Sequence, residues 1–471
     1  MLNPVFERYE NDLIALARKV WENPEPGFRE QVSSQVQVEY LRKMGFAVTE
    51  NVANTRTGYV AEWGSGHPVL AFLGEFDALY GLSQRADEAS PEPIPGQAMG
   101  QGCGHHLLGT GAIAGALLLR DLMQAEGLEG TIRIYGCPAE ESGSGKAYMA
   151  RDGVFDDCDA ALTWHPSNFN MIATGSSQSC IQCYFRFTGV ASHAASAPHL
   201  GRSALDAVEL MNVGVNYLRE HMEDSDRVHY AISNPGGSSP NVVQAYAESR
   251  YLVRSTTNPK CGRLYERVKN IARGAALMTE TSLEVIFDEG LSNTIPNFTL
   301  EEILDAAFAK AGVPAYTEEE RRYAAKFKET VSVEDQLSDM PKACRDPERL
   351  RQNIRSSELC DVYVETVHSD VCEMGSTDVG DVSWVTPTCT ANLNCYAYGA
   401  GAHSWQWVAQ GISDIAMKGM LKAGEVLAYT GLTLLKQPEL LTKARAELTR
   451  RLNGETYQCL IPGDVSPHYY D

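Results

Sequence analysis

Apolar residues recur at helical spacing over residues 5–23 and again over 29–44, which predicts two amphipathic helices at the start of the chain. Val69-Leu70-Ala71-Phe72-Leu73-Gly74 is instead an unbroken apolar run bounded by turn residues, as expected of a strand buried on both faces. Residues 107–124 are rich in Ala, Leu and Gly and read as a buried helix, while 131–135 and 160–164 read as two more strands. This alternation predicts an α/β sheet covered on both faces. Functional side chains of such sheets gather beyond the carboxyl ends of the strands. Glu75, Asp77, Glu140, Glu141 and His165 all sit directly after predicted strands.

The pattern changes after about residue 183. Residues 184–190 alternate like a half-exposed strand, 203–222 read as a long helix, and alternating strands follow at 241–253 and 282–287 with a helix at 260–279 between them. That order predicts a small α+β unit with an open antiparallel sheet inserted into the first domain. The expected division is a catalytic domain in two parts, 1–184 and 299–471, around an inserted domain at 185–298. Residues 313–365, charged and helix-prone but without motifs, are expected to form a peripheral insertion within the second part.

Composition narrows the partners. A chain of 471 residues is long enough for two domains, and its 44% hydrophobic content is that of a folded globular protein. Forty Lys plus Arg against 61 Asp plus Glu give a net charge of −21, which argues against nucleic acid or an anionic membrane surface. A small anionic substrate remains compatible, because one local Arg outweighs distant screened charges. The 12 cysteines are scattered without a disulfide framework, Met1-Leu2-Asn3-Pro4 leads into a charged helix with no signal-peptide core, and no apolar run reaches the length of a membrane span. Free thiols in a reducing, cytoplasmic compartment are the expectation.

The chemistry centres on Gly100-Gln101-Gly102-Cys103-Gly104-His105-His106. Cys103 and His105 are metal-ligand types two residues apart, between glycines that let the backbone turn closely around an ion. His106, pointing elsewhere along the chain, is expected to support the ligands or cap the following helix. Glu140-Glu141 can divide their labour: Glu141 as ligand, Glu140 as the free carboxylate that takes a proton from metal-activated water and returns it to the leaving amine. His165, in Trp164-His165-Pro166, and His403, in Gly401-Ala402-His403, complete a candidate set for one or two borderline transition ions. Asp77 suits a carboxylate that orients His105. Ser142-Gly143-Ser144-Gly145-Lys146 looks like part of a phosphate-binding loop but lacks the required first glycine, and Asn297-Phe298-Thr299 is a glycosylation triplet without a secretion signal.

Taken together, Gly74-Glu75-Phe76-Asp77-Ala78-Leu79, Gly102-Cys103-Gly104-His105, Pro138-Ala139-Glu140-Glu141, Trp164-His165-Pro166, Gly189–Ala195 and Gly375–Asp381 resemble the dinuclear metallo-aminoacylase and carboxypeptidase superfamily. The resemblance falls in its auxin-conjugate amidohydrolase branch, and within it among the B-type subunits of p-aminobenzoyl-glutamate hydrolases. It implies a metallopeptidase-like α/β catalytic domain, a mixed sheet flanked by helices, with a smaller inserted α+β dimerisation lid. It also implies two divalent ions, zinc or manganese with cobalt admitted, bridged by Cys103 and held by His105, Glu141, His165 and His403. His193 would reach into the partner subunit's site in a homodimer and polarise the scissile carbonyl, Asn241 would be a second lid contact, and Arg254 would hold a substrate carboxylate. The implied activity is hydrolysis of N-acyl amino acids, aromatic acyl conjugates of glutamate or aspartate foremost, by metal-bound hydroxide. A dipeptidase or carboxypeptidase of the same machinery, or a ligand-binding subunit paired with a related chain, are the alternatives. Glu75 departs from the metal-binding histidine of many relatives, and 81–101 and 313–365 have no counterpart in the shorter ones.

Overall fold

The computed structural model describes residues 7–468. The first helix runs Glu10–Trp21 and the second Gln31–Lys43; residues 5 and 6 of the first predicted helix, like the Met1–Pro4 segment, lie outside the described residues. The run at 69–74 forms the strand Val69–Glu75, at the centre of a seven-stranded sheet. Strand order is Ala47–Glu50, Tyr59–Ser65, Gly130–Cys137, Val69–Glu75, Ala160–Ser167, Thr388–Asn394 and Met171–Ala173. Neighbours from Gly130–Cys137 to Thr388–Asn394 pair in parallel, and both flanks are antiparallel, so the sheet is mixed.

The alternation within Val69–Glu75 explains why it reads as continuously apolar. Leu70 and Phe72 enter the large core beneath the helices His105–Glu126 and Asp414–Lys436, whereas Val69, Ala71 and Leu73 pack on the opposite face with Tyr135, Met149 and Val382. Both faces are covered, so neither side of the strand tolerates polarity. The helix His105–Glu126 is buried along nearly its whole length. Gly104 (φ 79°) turns the chain into it, and Gly127 (φ 67°) ends it with its N–H donated to the Met123 carbonyl. Small residues bring it close: a Cβ on Gly424 would stand 2.9 Å from the Gly115 backbone nitrogen, and one on Gly109 would stand 2.5 Å from the Glu75 carbonyl.

A second, four-stranded antiparallel sheet has the order Arg227–Asn234, Tyr246–Ser255, Ser179–Thr188, Ser282–Leu291. Helices Ala204–Leu218 and Asn258–Thr279 close its own core around Phe185, Met211, Tyr251 and Val268. Two details differ from the sequence pattern. The strand Ser179–Thr188 crosses residue 184, where the pattern divides the chain. Residues 241–245 lie before the strand Tyr246–Ser255 and are held outside its ladder by irregular backbone bonds, the Val243 N–H donating to the Ser192 carbonyl (3.0 Å) and the Gln244 carbonyl accepting from the Ala204 N–H (2.8 Å), because Pro240 and the turn before it interrupt the ladder.

Residues 313–365 pack along the outer edge of the sheet. They form the helices Glu318–Lys328, Val333–Ser338 and Pro347–Ser356, and Leu350, Ile354 and Val364 pack with Phe169, Met171 and Tyr398 beside the edge strand Met171–Ala173. Asn170 bonds on both sides of this contact, its carbonyl accepting from Val364 (2.8 Å) and its amide donating to the Cys360 carbonyl (2.6 Å). An uncovered strand edge leaves its backbone groups unpaired, and the insertion covers this one.

The close helix–strand contact sets a stability test. Gly109→Ala must push backbone against backbone and is expected to destabilise by about 1–3 kcal/mol. Gly274→Ala, within Asn258–Thr279 and with nothing within 4 Å of the new Cβ, is expected to gain up to about 1 kcal/mol. Urea unfolding of the two variants checks both signs, and equal midpoints would contradict the contact.

Candidate metal centre

The carboxyl ends of the parallel strands and the N-terminus of the helix His105–Glu126 meet at one cavity of about 370 Å³. Glu75, Cys103, Glu140, Glu141, His165 and His403 line it. Cys103 reaches it and His105 lies buried beside it because Gly104 holds a left-handed turn in which a Cβ would collide with the Tyr396 hydroxyl. His403 also has a left-handed backbone (φ 59°), and its N–H donates to the Gly102 carbonyl at 2.9 Å, so the two ligand-bearing loops cross. A non-glycine residue in that region costs energy that the surroundings must outweigh.

The donor atoms fall into three clusters, each with all its atoms within 4.8 Å of one another: Cys103, His105 and His165; Cys103, Glu141 and His403; Glu75, His105 and Glu140. The Cys103 sulfur belongs to two of them. His165 donates Nδ1–H to the Pro166 carbonyl (2.7 Å), so the Nε2 lone pair faces the Cys103 sulfur at 3.3 Å. Asp77 orients two candidate ligands at once, one oxygen 2.8 Å from His105 Nδ1 and the other accepting the Glu141 N–H at 2.9 Å. His403 Nε2 lies 3.1 Å from Glu141 Oε1.

The electrostatics favour a cation. Burial and then the Glu141 carboxylate push the Cys103 thiol well above its usual pKa. Burial opposes a charge on His105, yet Cys103, Asp77 and Glu75 outweigh it and raise its pKa well above the usual value. Burial, followed by the negative charges of Glu75, Glu141 and Asp378, lifts Glu140 well above the carboxylate range. His105 Nε2 and Glu141 Oε1 are both buried and make no well-aligned hydrogen bond, with Glu75 (3.2 Å) and His403 (3.1 Å), respectively, at ion-pair distance. Buried donor atoms of thiolate, imidazole and carboxylate type, crowded at this distance, fit a divalent ion of the borderline class.

Comparisons with known proteins agree with this geometry. The pattern of peptidase family M20/M25/M40 matches residues 71–407. The chain belongs to that family. It is accordingly a metal-dependent amide hydrolase. It is 44% identical over 460 residues to the B-type subunit of p-aminobenzoyl-glutamate hydrolase from Escherichia coli (strain K12), covering 96% of this chain and 95% of the relative. It is 27% identical to the Xaa-Arg dipeptidase of Mus musculus, covering 94% and 90%. The crystal structure of a Bacillus subtilis dinuclear metal binding peptidase from the M20 family shares the fold, with a TM-score of 0.57, 17% identity and coverage of 91% and 99%.

The remaining candidates lie elsewhere in this M20 chain. His193 and Asn241 are exposed neighbours on the smaller sheet's loops, the Asn241 carbonyl accepting the Ala194 N–H at 3.0 Å, and neither lines the cavity. Arg254 stands behind the wall, donating to the hydroxyl of cavity-lining Ser376 at 3.0 Å. His106 neither supports the ligands nor caps the helix: its Nε2–H donates to the Gly411 carbonyl (2.7 Å), pinning the helix to the loop before Asp414–Lys436.

One group escaped the motif reading. Lys146, at the end of the rejected phosphate-loop pattern, is fully buried, 2.5 Å from Glu75 and in contact with the Asp378 carboxylate. Burial alone raises Glu75, but Lys146 and then His105 reverse the effect and hold its pKa below the usual value. The signal was available: a lysine opening the apolar helix Gly145–Arg151 requires buried carboxylates.

His106 supplies a pH test. Burial pushes its pKa down to about 3, so the folded protein keeps it neutral while an unfolded chain protonates near 6.5. A depressed histidine pKa means stability falls as pH drops through that window, by about 1.4 kcal/mol per unit. Between pH 7 and 5 the parent is expected to lose about 2 kcal/mol more than His106→Gln in urea unfolding. Parallel losses would remove His106 from the account.

Proposed function

We propose that this chain hydrolyses the amide of N-acyl amino acids with a free carboxylate, aromatic acyl conjugates of glutamate or aspartate leading. The observation that carries the reading is the Cys103 sulfur shared between two donor clusters, with Glu140 beside His105 in a third. Two divalent ions, zinc or manganese, suit this set, with His105 and His165 on one side of Cys103 and Glu141 and His403 on the other. When bound, such ions supply Lewis-acid activation of water and of the scissile carbonyl.

The chain's own residues supply the rest. Glu140 faces the cavity with its pKa raised, so it can take the proton of the attacking water and pass it to the departing amine. Asp77 holds His105 and Glu141 in place throughout. His193 Nδ1 accepts the Ala195 and Ser196 N–H groups, both at 3.2 Å, which leaves the ring proton on Nε2 as a donor. A donor of that kind, delivered from a second copy, would stabilise the oxyanion as it forms.

A homodimer is supported by the unpaired outer edge of Arg227–Asn234, where Tyr230 and Ile232 are exposed. Arg254, backing the Ser376 wall, is the nearest candidate for drawing a substrate carboxylate to that side. A cytoplasmic setting agrees with free thiols at every described cysteine, and among the described residues no helix is long and apolar enough to cross a membrane.

Glu140→Gln is expected to keep metal content and association while lowering kcat by about 10²–10⁴. Release of free amino acid from benzoyl-glutamate by the metal-loaded variant decides it, and near-parental turnover would remove Glu140 as base. Mixing inactive His193→Ala and Glu140→Gln proteins, after subunit exchange, is expected to restore up to about a quarter of parental activity, the share of sites that carry neither change. No recovery, with exchange verified, would place His193 outside the neighbour's site.

A further inference from the structure

Beside the metal centre a second chamber of about 500 Å³ opens. The two cavities share His165, Ala173, Thr174 and Glu373, so a ligand at the centre can extend directly into it. Both mix apolar and polar residues, and they differ in what particular walls present. The wall of the first toward Arg254 is built from hydroxyls, among them Ser177, Thr294, Ser376 and Thr377, which suits a carboxylate. The second is walled by Phe169, Met171, Trp407, Met340 and Pro341, which suits a flat apolar group.

Its inner wall is rigid. Trp407 stacks on Tyr396 with ring centroids 4.1 Å apart and donates its indole N–H to the Ala400 carbonyl, while Phe169 packs against Tyr398 at 5.7 Å. Aromatic surfaces held this firmly cost little entropy when a ring settles on them. The outer wall comes from the insertion, residues 339–343, which is fixed by backbone bonds from Arg345 to Glu365 and from Val367 to Ala343, both 2.8 Å.

Polar groups interrupt the apolar lining, among them Ser167, Asn168, Asn392 and the charged Asp339, Lys342 and Glu373. Lys342 is paired with Glu373 at 2.8 Å. Asp339 has one carboxylate oxygen on the Asn168 amide at 3.0 Å, and Asn168 is itself held by the Ala400 carbonyl at 2.7 Å. The other Asp339 oxygen has no partner among the described residues, and the carboxylate lines the chamber as an acceptor.

We infer that the insertion builds the acyl subsite of this enzyme, that the aromatic ring of the substrate lies between Trp407, Phe169 and Met340, and that Asp339 selects rings carrying a hydrogen-bond donor such as an aryl amine. The inference rests on the amide-hydrolase reading for the orientation of the substrate, but the subsite can be tested without turnover. The same insertion that covers the sheet edge thereby sets substrate choice.

The probes are p-aminobenzoate and benzoate, titrated calorimetrically into the full-length metal-loaded protein. Their carboxylates are alike, so any contact of that group with the centre cancels in the comparison. The parent is expected to bind p-aminobenzoate about tenfold more tightly, and Asp339→Ala to abolish the difference while leaving benzoate affinity unchanged. Met340→Ala is expected to weaken both ligands alike by about three- to tenfold. Equal affinities in the parent, or a preference untouched by Asp339→Ala, would overturn the assignment. Turnover adds an independent arm: kcat/KM for p-aminobenzoyl-glutamate over benzoyl-glutamate should fall about tenfold in Asp339→Ala, with the preference among amino acids at fixed acyl group unchanged. A shift in amino-acid preference instead would put the amine side in this chamber and refute the proposal. Absence of all hydrolysis with the binding pattern intact would fault the proposed function and leave the subsite standing.

Discussion

Acidic groups packed at the ends of parallel strands repel one another unless positive charge is placed among them, and this chain meets that constraint in two ways. On the inner side, Lys146 sits between Glu75 and Asp378, with none of its side chain exposed to water. On the outer side, Cys103, Glu140 and Glu141 converge on imidazoles, with Glu75 beside Glu140 linking the two sides. Burying charges is strongly unfavourable without compensation at close range. The inner half thus carries a cation of its own, while the outer half gathers donors with none but imidazoles to offset them. That asymmetry separates structural acids from chemical ones more sharply than any motif does.

Placing these groups requires backbone that ordinary residues avoid. Gly104, Ala139, Ser144 and His403 all have positive φ, and all flank ligands or the Glu140-Glu141 pair. The Glu pair is anchored from below: Glu30, buried and with its pKa pushed up to about 8 by burial and the nearby Asp77, accepts the Ala139 N–H at 2.8 Å. Glu30 stands at the head of the helix Gln31–Lys43. The opening helices thus do more than cover the sheet. They hold the loop that carries the proposed base, which is why a strained loop can persist at the site.

Much of the sheet was legible because its central strands bury both faces, and a strand such as Val69–Glu75 then admits no polar residue. The candidate ligands stood out for a related reason: Cys103, His105 and His403 lie among glycines and small residues, where little else explains a thiol or an imidazole. Edge strands carried weaker signals. Arg227–Asn234 is exposed along most of its length, and so is Ala47–Glu50, so neither shows the alternation that buried faces impose. Lys146 and Asp378 were hidden by sequence distance, since their pairing across 232 residues exists only once the sheet has closed. His106 was misjudged because adjacency to His105 says nothing about direction on a helix, where successive side chains diverge by about 100°.

The insertion shows how a fold can acquire specificity without disturbing its chemistry. The chain-length cost of adding such a segment is small, because loop-closure entropy grows only logarithmically. Its stabilising return is local: it covers the exposed edge beside Met171–Ala173 and buries Leu350, Ile354 and Val364. That packing meets the loop before His403 at Tyr398, whose N–H donates to the Glu358 carbonyl at 3.0 Å, whereas Cys103 and His105 are positioned by the parallel strands and by Gly104. The segment from Asp339 to Ala343 lines the chamber next to His165 because the edge it covers is two strands from the one carrying that histidine. Covering an edge and walling a pocket are here the same act of packing. A segment constrained only to cover that edge is free to change the side chains it turns toward the chamber, and with them the group the chamber holds, while the ligand geometry stays as it is.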